Sequence, residues 1–195
     1  MIAIIKYNAG NTASVANALE KFGYKYEITD DKEKILKANK VIFPGQGRAK
    51  PAMEDLKTKG LDKVMKQIKQ PFLGICLGTQ LLLPHSQEDN TKCFGIIKGE
   101  VKRFSDDEKI PQIGWNNLKL TQQNPLFDGI GDENYVYFVN SYYVETDDKN
   151  TLATYKYGNI SAAGVIQKDN FYGTQFHPEK SGKIGLKILE NFLKL

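Results

Sequence analysis

The stretch Phe72-Leu73-Gly74-Ile75-Cys76-Leu77-Gly78 is the most informative about the fold, because a short apolar run leads directly into a helical one, with Gly74 and Gly78 on either side of Cys76. The apolar residues before Cys76 have the length of a buried strand, and Leu77–Leu83 continues with helical character. A strand that leads directly into a helix is the unit of a sheet whose parallel strands are covered by helices. The stretch therefore predicts an α/β fold.

The residues on the N-terminal side of this stretch repeat the same alternation. Ile2–Ile5 and Val41–Phe43 are apolar runs of strand length, and Tyr24–Thr29 is a further strand candidate between them. Apolar residues fall at helical spacing within Val15–Phe22, and a helix is also predicted over Leu61–Ile68. Strands and helices that alternate at this spacing indicate parallel pairing, with helices on both faces of the sheet.

The C-terminal half contains several strand-like segments that are rich in aromatic and β-branched residues and separated by polar turns. They are Phe94–Phe104, Asn117–Thr121, Tyr135–Thr146, Thr151–Tyr157, Ser161–Gln167 and Phe171–Phe176. An amphipathic helix with Ile184, Ile188, Phe192 and Leu195 on one stripe closes the chain. We therefore predict one domain over residues 1–195, with a mixed, mostly parallel sheet flanked by helices and antiparallel strands added in the second half.

The composition excludes several classes of protein. At 41% hydrophobic and 26% charged, 195 residues can bury a sizeable core, which argues against disorder. The net charge is +4, but the basic residues are scattered among acids, so we expect no nucleic-acid partner. A small anion or an acidic protein partner would fit the same charge. No apolar stretch approaches the length of a membrane span and no signal-peptide pattern opens the chain, so we expect no membrane association and a cytoplasmic location.

The chain has few candidates for a nucleophile and its base, since it contains two cysteines and two histidines. Cys76 and Cys93 form neither a disulfide framework nor a C-x-x-C pair, and so few Cys and His residues make a zinc site improbable. We expect no metal and no cofactor. Cys93 has no glycine turn around it and is interpreted as a packing residue.

The segment around Cys76 has the pattern of a nucleophile elbow with cysteine in place of serine. Gly74 and Gly78 suit a turn in which neighbouring backbone leaves no room for side chains. The turn presents the sulfur at a helix N-terminus, where the dipole favours a thiolate, and it positions the N–H of Leu77 as one oxyanion donor. The alternative is a buried cysteine beside incidental glycines, but the strand before and the helix after favour the nucleophile.

The second candidate segment is Gln175-Phe176-His177-Pro178-Glu179, at the end of the last strand-like run. A cysteine nucleophile needs a base within hydrogen-bond reach, and the base needs an orienting acceptor. His177 fits the first role and Glu179 the second. A single histidine at a strand end is often structural. The other histidine, His85, lies in the polar Pro84–Asp89 stretch, which we interpret as an exposed loop.

The third candidate is Pro44-Gly45-Gln46-Gly47, directly after an apolar run. A glycine-rich turn at the carboxyl end of a parallel strand can present backbone N–H groups to an anion. Most such turns are only turns, so the motif alone is a weak signal. It could supply a second oxyanion donor or bind a substrate carboxylate.

Together, the three segments resemble the class I (triad) glutamine amidotransferases, whose fold is flavodoxin-like, and the resemblance covers essentially the whole chain. Further segments resemble the glutaminase subunits of imidazole glycerol phosphate synthases. They are Tyr7–Asn11, Ile110–Asn116, Tyr137–Tyr143 and Gly173–Gly182. The resemblance implies that Cys76 attacks the carboxamide of L-glutamine. It also implies that His177, held by Glu179, protonates the leaving ammonia and then activates water.

The resemblance also implies roles for residues outside the triad. The oxyanion hole is expected from Leu77, Gln46 and Gly47, and glutamine is expected to bind Gly47, Gln80 and the backbone of Ser141, Tyr142 and Tyr143. In this family the ammonia passes to a cyclase subunit with a (βα)₈ barrel, in a step of histidine biosynthesis. Asn11, Pro111 and Trp115 are expected at the interface with that cyclase. A plain core position is the alternative for Trp115.

The chain departs from the usual family pattern at five positions outside the triad, several of which we expect to face the partner. They are Lys6, Asn8, Ala13, Gln112 and Asn140. Two other functions remain open: an amidotransferase paralogue that supplies ammonia to a different synthase, and a catalytically inactive binding subunit. A neighbouring cyclase gene or co-purification with a (βα)₈ partner would identify the synthase. The intact Cys76, His177 and Glu179 argue against an inactive subunit.

Overall fold

The computed structural model describes residues 1–131 and 134–195, and its first half alternates strands with helices. In chain order the elements are β1 (Ile2–Ile5), α1 (Thr12–Lys21), β2 (Tyr26–Thr29), α2 (Lys32–Lys37), β3 (Lys40–Gly45), α3 (Ala49–Thr58), α4 (Leu61–Met65), β4 (Phe72–Cys76) and α5 (Leu77–Gln80). None of the helices in the described part of the chain is long and apolar enough to cross a membrane.

The second half consists mainly of strands. They are β5 (His85–Ser86), β6 (Thr91–Lys92), β7 (Glu100–Arg103), β8 (Gln112–Asn117), β9 (Lys119–Leu120), β10 (Tyr135–Asn140), β11 (Tyr142–Glu145), β12 (Thr151–Tyr157), β13 (Ile160–Lys168) and β14 (Phe171–Thr174). A 3₁₀ turn over Pro178–Lys180 leads into the C-terminal helix α6 (Gly182–Lys194).

The main sheet joins a parallel group of strands to an antiparallel group. The strands β2, β1, β3, β4 and β14 are parallel neighbours in that order. From β14 the sheet continues by antiparallel pairing through β13, β11 and β7, and β12 pairs with β13. The predicted α/β class, with antiparallel strands added in the second half, is therefore confirmed. The strands β8 and β10 form a separate antiparallel pair.

The central strands are buried on both faces, because their side chains alternate between two hydrophobic cores. Ile4, Ile42 and Leu73 lie in the core that contains the apolar faces of α1 and α6. Phe43 and Phe72 lie in the second core, with residues of α3 and α4. This two-sided burial explains why these strands are apolar throughout rather than alternating.

Several predicted elements differ from the observed ones in extent. The predicted strand Phe94–Phe104 is a strand only over Glu100–Arg103, because the N–H groups of residues 94 to 97 donate to the carbonyl oxygens of residues 81 to 83 instead of to a neighbouring strand. The predicted strand Tyr135–Thr146 divides at Ser141: β10 pairs with β8, whereas β11 pairs with β7. The helix predicted over Leu61–Ile68 ends at Met65.

Two helices were not predicted from the sequence. Helix α2 is short and charged, and it begins where the Asp31 carboxylate accepts hydrogen bonds from the N–H groups of Glu33 and Lys34. Helix α3 carries a proline, Pro51, in its first turn, which hides its helical pattern although proline is tolerated there. Both helices lie in polar stretches where hydrophobic spacing is a weak signal.

Candidate active site

Cys76 lies at a strained turn between β4 and α5, with φ 53° and ψ −109°. A Cβ atom on Gly74 would lie 2.7 Å from the carbonyl oxygen of Gly78, and one on Gly78 would collide with the carbonyl of Phe43. Both positions therefore require glycine. A non-glycine residue held at positive φ is a frequent feature of functional sites, and here it lifts the sulfur out of the sheet.

A threonine hydroxyl ties this turn to the neighbouring strand. The Oγ1 atom of Thr79 lies 2.8 Å from the carbonyl oxygen of Gly74 and 2.7 Å from that of Thr174. Thr79 is 1% exposed, so its hydroxyl is protected from competing water. The elbow is thus fixed to β14, which leads to the predicted base.

His177 and Glu179 form a buried pair after β14. The Nδ1 atom of His177 lies 2.9 Å from Oε1 of Glu179, and their side chains are 3% and 2% exposed. The hydroxyl of Ser181 donates to the carbonyl oxygen of His177 at 2.6 Å and accepts from the N–H of Tyr137 at 2.9 Å. The imidazole is therefore held by its acceptor and by a fixed backbone.

The charge state of the histidine follows from competing effects. Burial lowers the pKa of His177, but hydrogen bonds with Cys76 and Glu179 outweigh burial and raise the pKa to about 10. The ring therefore stays protonated at neutral pH beside the sulfur. Cys93 behaves differently, because burial raises the pKa of its thiol to about 12, and it is unreactive at neutral pH.

His85 lies in a strand, which corrects the prediction of an exposed loop. It belongs to β5, and its ring lies between Oε1 of Glu100 at 3.1 Å and Oδ1 of Asn90 at 2.7 Å. The side chain is 37% exposed. Two-residue strands such as β5 carry too little pattern to be recognised in sequence. The ring is not part of the wall around Cys76.

A cavity of about 460 Å³ opens over Cys76, and its wall contains most of the predicted site residues. Those residues are Gln46, Gly47, Cys76, Leu77, Gln80, Pro111, Ser141, Tyr142 and His177. Tyr143, whose backbone is expected to bind glutamine, is not among the residues of the wall. Its side chain turns into the core and packs against Phe104, with ring centroids 4.9 Å apart, because neighbouring residues of β11 point to opposite faces.

The cavity wall also contains Glu88, Tyr137, Val139, Asn140 and Lys180, which sequence reasoning did not assign to the site. Glu88 lies beside the N-terminus of α3, where its Oε2 atom accepts from the N–H of Ala49 at 2.7 Å. Burial raises the pKa of Glu88, against the opposing effect of that hydrogen bond. No pattern in the polar stretch around Glu88 distinguishes it from an ordinary loop acid.

The five departures from the family pattern divide into two groups. Lys6, Asn8 and Ala13 are exposed, as expected for residues that face a partner. Gln112 and Asn140 are 4% and 6% exposed and lie directly opposite each other on the inner face of β8 and β10. Strand alternation turns these two towards the core, so they are not among the several departures that we expect to face the partner.

A cysteine elbow on β4 and a buried His–Glu pair after the adjacent β14 form a candidate Cys–His–Glu triad on a mixed α/β sheet. The model of the family "Glutamine amidotransferase class-I" matches residues 3–195, and the chain belongs to this family.

Full-length relatives within the family carry a more specific name. The "Imidazole glycerol phosphate synthase subunit HisH" of Bacteroides fragilis (strain YCH46) is 48% identical over 197 residues, covering 100% of this chain and 99% of that protein. The protein with this name from Methanocaldococcus jannaschii is also 48% identical, with 100% of both chains covered.

Solved structures support the fold. One described as "Crystal structure of glutamine amidotransferase" has a TM-score of 0.76 at 16% identity and covers 99% of this chain and 97% of its own. Another, described as "Structure of PurLQS from Thermotoga maritima", has a TM-score of 0.73 at 20% identity, covering 99% of this chain and 97% of its own. At these identities the likeness concerns the fold alone.

Proposed function

We propose that this chain is the glutaminase subunit of imidazole glycerol phosphate synthase, hydrolysing L-glutamine to glutamate and ammonia for histidine biosynthesis. The observation that carries the proposal is the buried pairing of His177 and Glu179 at the cavity that contains the strained Cys76. The full-length relatives named as subunits of this synthase support the choice of pathway.

In the proposed reaction the Cys76 thiolate attacks the side-chain carbonyl carbon of glutamine. The negative charge that develops on the oxygen is stabilised by the N–H of Leu77, the first residue of α5, where helix N–H groups have no intrahelical acceptor. The turn at Gln46 and Gly47, which also lines the cavity, supplies the second donor. The His177 imidazolium gives its proton to the nitrogen as the C–N bond breaks, which releases ammonia and leaves a thioester.

The second half of the reaction uses the same residues. His177, now neutral, takes a proton from water as the water oxygen attacks the thioester carbon. Collapse of the intermediate releases glutamate and returns the sulfur as a thiolate beside the reprotonated ring. Glu179 holds the His177 ring in one orientation throughout, since its Oε1 is hydrogen-bonded to Nδ1 of the ring.

The cavity also offers groups that match the amino-acid end of glutamine. Glu88 places a partly buried carboxylate in the wall, opposite in charge to an α-ammonium group. The amide nitrogen of Gln80 donates to the carbonyl of Tyr142 and to Oε1 of Gln175, both at 3.0 Å. The amide N–H groups of Gln80 are therefore already hydrogen-bonded within the protein, and its side-chain oxygen is left to accept a hydrogen bond from the substrate.

Replacing Glu88 with glutamine is expected to raise KM for glutamine about tenfold and to change kcat much less, because a charge-assisted contact to the ammonium becomes a neutral one. Steady-state glutamate release over a range of glutamine concentrations measures both constants. The matched control is Asp89→Asn, since Asp89 pairs with Arg48 outside the cavity wall. An unchanged KM in Glu88→Gln would contradict this role.

The outward face of β8 and β10 is the surface we propose for docking of a cyclase subunit with a (βα)₈ barrel. Ile113, Trp115, Tyr135 and Val139 are exposed on it by 63%, 56%, 54% and 37%. A contiguous apolar patch of this kind marks an interaction surface. Val139 also lines the cavity, so a partner on this face would sit at the mouth of the site and receive the ammonia.

Two other expected interface residues differ in character. Pro111 is exposed and lines the cavity, so it belongs to the same mouth. Asn11 caps α1, its Oδ1 accepting from the N–H of Ser14 at 3.2 Å and its amide donating to Oγ of the same serine at 2.7 Å. We propose both residues as partner contacts, and the side chain of Asn11 stabilises the start of α1 as well.

Truncating Trp115 to alanine is expected to weaken cyclase binding about 30-fold or more, as for an aromatic anchor worth about 2 kcal/mol. The indole contacts Tyr137 edge-on and is otherwise half in solvent, so the fold should tolerate its loss. Titration of labelled cyclase measures the dissociation constant. Leu36→Ala, an exposed leucine on α2, is the control, and equal affinity for both variants would refute the anchor.

The overall proposal is tested by supplying either glutamine or ammonium to this chain together with the cyclase and the cyclase's nucleotide substrate. We expect imidazole glycerol phosphate from both nitrogen sources, and only from ammonium when this chain is omitted. Glutamate release without transfer to this cyclase would favour a paralogue that serves another synthase. The first outcome would also support the proposed heterodimer, the lyase activity of the cyclase and the transfer of ammonia to it. The cytoplasmic location is a separate part of the proposal.

A further inference from the structure

Tyr7 is a buried tyrosine beside the active site to which the proposed reaction gives no role. It follows β1, is 9% exposed, and packs its ring against Phe43 with centroids 4.9 Å apart. Its hydroxyl donates a hydrogen bond to the carbonyl oxygen of Pro44 at 2.8 Å. Burial, followed by the charge of Cys76, raises the pKa of Tyr7, so the hydroxyl keeps the proton that it donates.

Pro44 and Gly45 end β3 and lead into the Gln46–Gly47 turn that we propose as the second oxyanion donor, and the Gly45 end of this turn is tightly enclosed. A Cβ atom on Gly45 would lie 2.5 Å from the nitrogen of Gly78, 2.7 Å from Cβ of Leu77 and 2.9 Å from the Tyr7 hydroxyl. The backbone of Gly45 is therefore wedged between the cysteine elbow on one side and Tyr7 on the other. The register of β3 and β4 agrees with this position, because Gly45 lies opposite Cys76 in the sheet.

The other end of the same turn is open. Gly47 has φ 107°, and a Cβ atom there would meet only Cβ of Ala9, at 3.6 Å. The peptides on either side of Gln46 lie between the enclosed Gly45 and the open Gly47, so they are free to rotate. If the chain is held as far as Gly45, the next peptide is the first that can turn its N–H towards the substrate oxygen.

We propose that Tyr7 is a positioning residue whose hydroxyl holds the Pro44–Gly45 peptide. The following peptide, Gly45–Gln46, can then present its N–H to the oxyanion. This inference rests on the proposed function. Tyr7 acts through the backbone and does not touch the substrate. A complete loss of one oxyanion donor costs about 10²–10³-fold in turnover. Loosening its support costs less, and we expect about a tenfold loss.

The test is Tyr7→Phe, which removes one oxygen atom and keeps the ring that packs on Phe43. In the complex with the cyclase, we expect kcat for glutamate release to fall about tenfold, with KM for glutamine within twofold of the wild type. Alkylation of Cys76 by iodoacetamide, which needs no oxyanion hole, should proceed at the wild-type rate. In the chain alone, amide hydrogen exchange of Gly45–Gly47 should become at least about tenfold faster, because the carbonyl of Pro44 has lost its partner.

The control is Tyr172→Phe, since Tyr172 is also 9% exposed but lies on β14 against Phe192, away from the turn. An unchanged kcat and unchanged exchange in Tyr7→Phe would overturn the inference. So would an equal loss of alkylation rate, or faster exchange throughout the chain, because either would show a general structural role. If the wild type released no glutamate, the proposed function would fail, and the exchange at Gly45–Gly47 would still decide the role of Tyr7.

Discussion

Replacing Cys76 with alanine is expected to abolish glutamine hydrolysis, with a loss on the order of 10⁶-fold or to background, because no other group can form the thioester. Synthesis from ammonium through the cyclase should continue at the wild-type rate, since the nucleophile acts only on glutamine. The measurement is product formation by the complex with glutamine and, separately, with ammonium. Loss of both activities would show that the substitution disrupts the complex instead.

The second cysteine supplies the matched control. Cys93 is free and buried, and its thiol has a pKa of about 12, so Cys93→Ala should retain glutamine hydrolysis. A reactive glutamine analogue such as 6-diazo-5-oxo-norleucine should label Cys76 and leave Cys93 unmodified. Label found mainly on Cys93, or substantial hydrolysis by Cys76→Ala, would refute the assignment of the nucleophile.

The sequence predicted those parts of the site that depend on local geometry. Gly74 and Gly78 around Cys76 are required by contacts within a few residues or with the adjoining strand, so the motif carries its own explanation. The pair of His177 and Glu179 is also local, since a single proline separates the two residues. For the same reason, the strands next to these motifs were predicted close to their observed limits.

The remaining parts depend on contacts between distant segments and leave no local pattern. Glu88 reaches the cavity because its carboxylate accepts from Ala49, 39 residues earlier in the chain. The side chain of Tyr143 turns into the core while its neighbour Tyr142 lines the cavity, since the alternation along β11 depends on where the strand begins. The contact expected from the Tyr143 backbone to glutamine stays a prediction. Tyr7 meets Pro44 only because β1 and β3 are neighbours in the sheet, a pairing that crosses an intervening strand and two helices.

Removing the imidazole of His177 is expected to reduce kcat for glutamine hydrolysis about 10²–10⁴-fold, the usual contribution of a general acid–base. Glu179→Gln should cost less, about tenfold, because an amide oxygen can still accept from Nδ1 but lacks the charge that favours the protonated ring. Glutamate release at saturating glutamine measures both. His85→Ala is the control, and a larger loss there than in His177→Ala would show that the base is misassigned.

Glu179→Gln is also expected to change the pH dependence of the reaction. The hydrogen bond to Glu179 is one of the contacts that raise the pKa of His177 to about 10, and the ring must be protonated to release ammonia. In the wild type kcat/KM should therefore fall as the pH rises through about 10. In Glu179→Gln the fall should begin at lower pH, because the neutral amide stabilises the imidazolium less. The Glu179 side chain is 2% exposed, so solvent screens the effect of its charge on the ring only weakly. An alkaline limb that stays at the wild-type position would show that Glu179 does not set the charge of the ring.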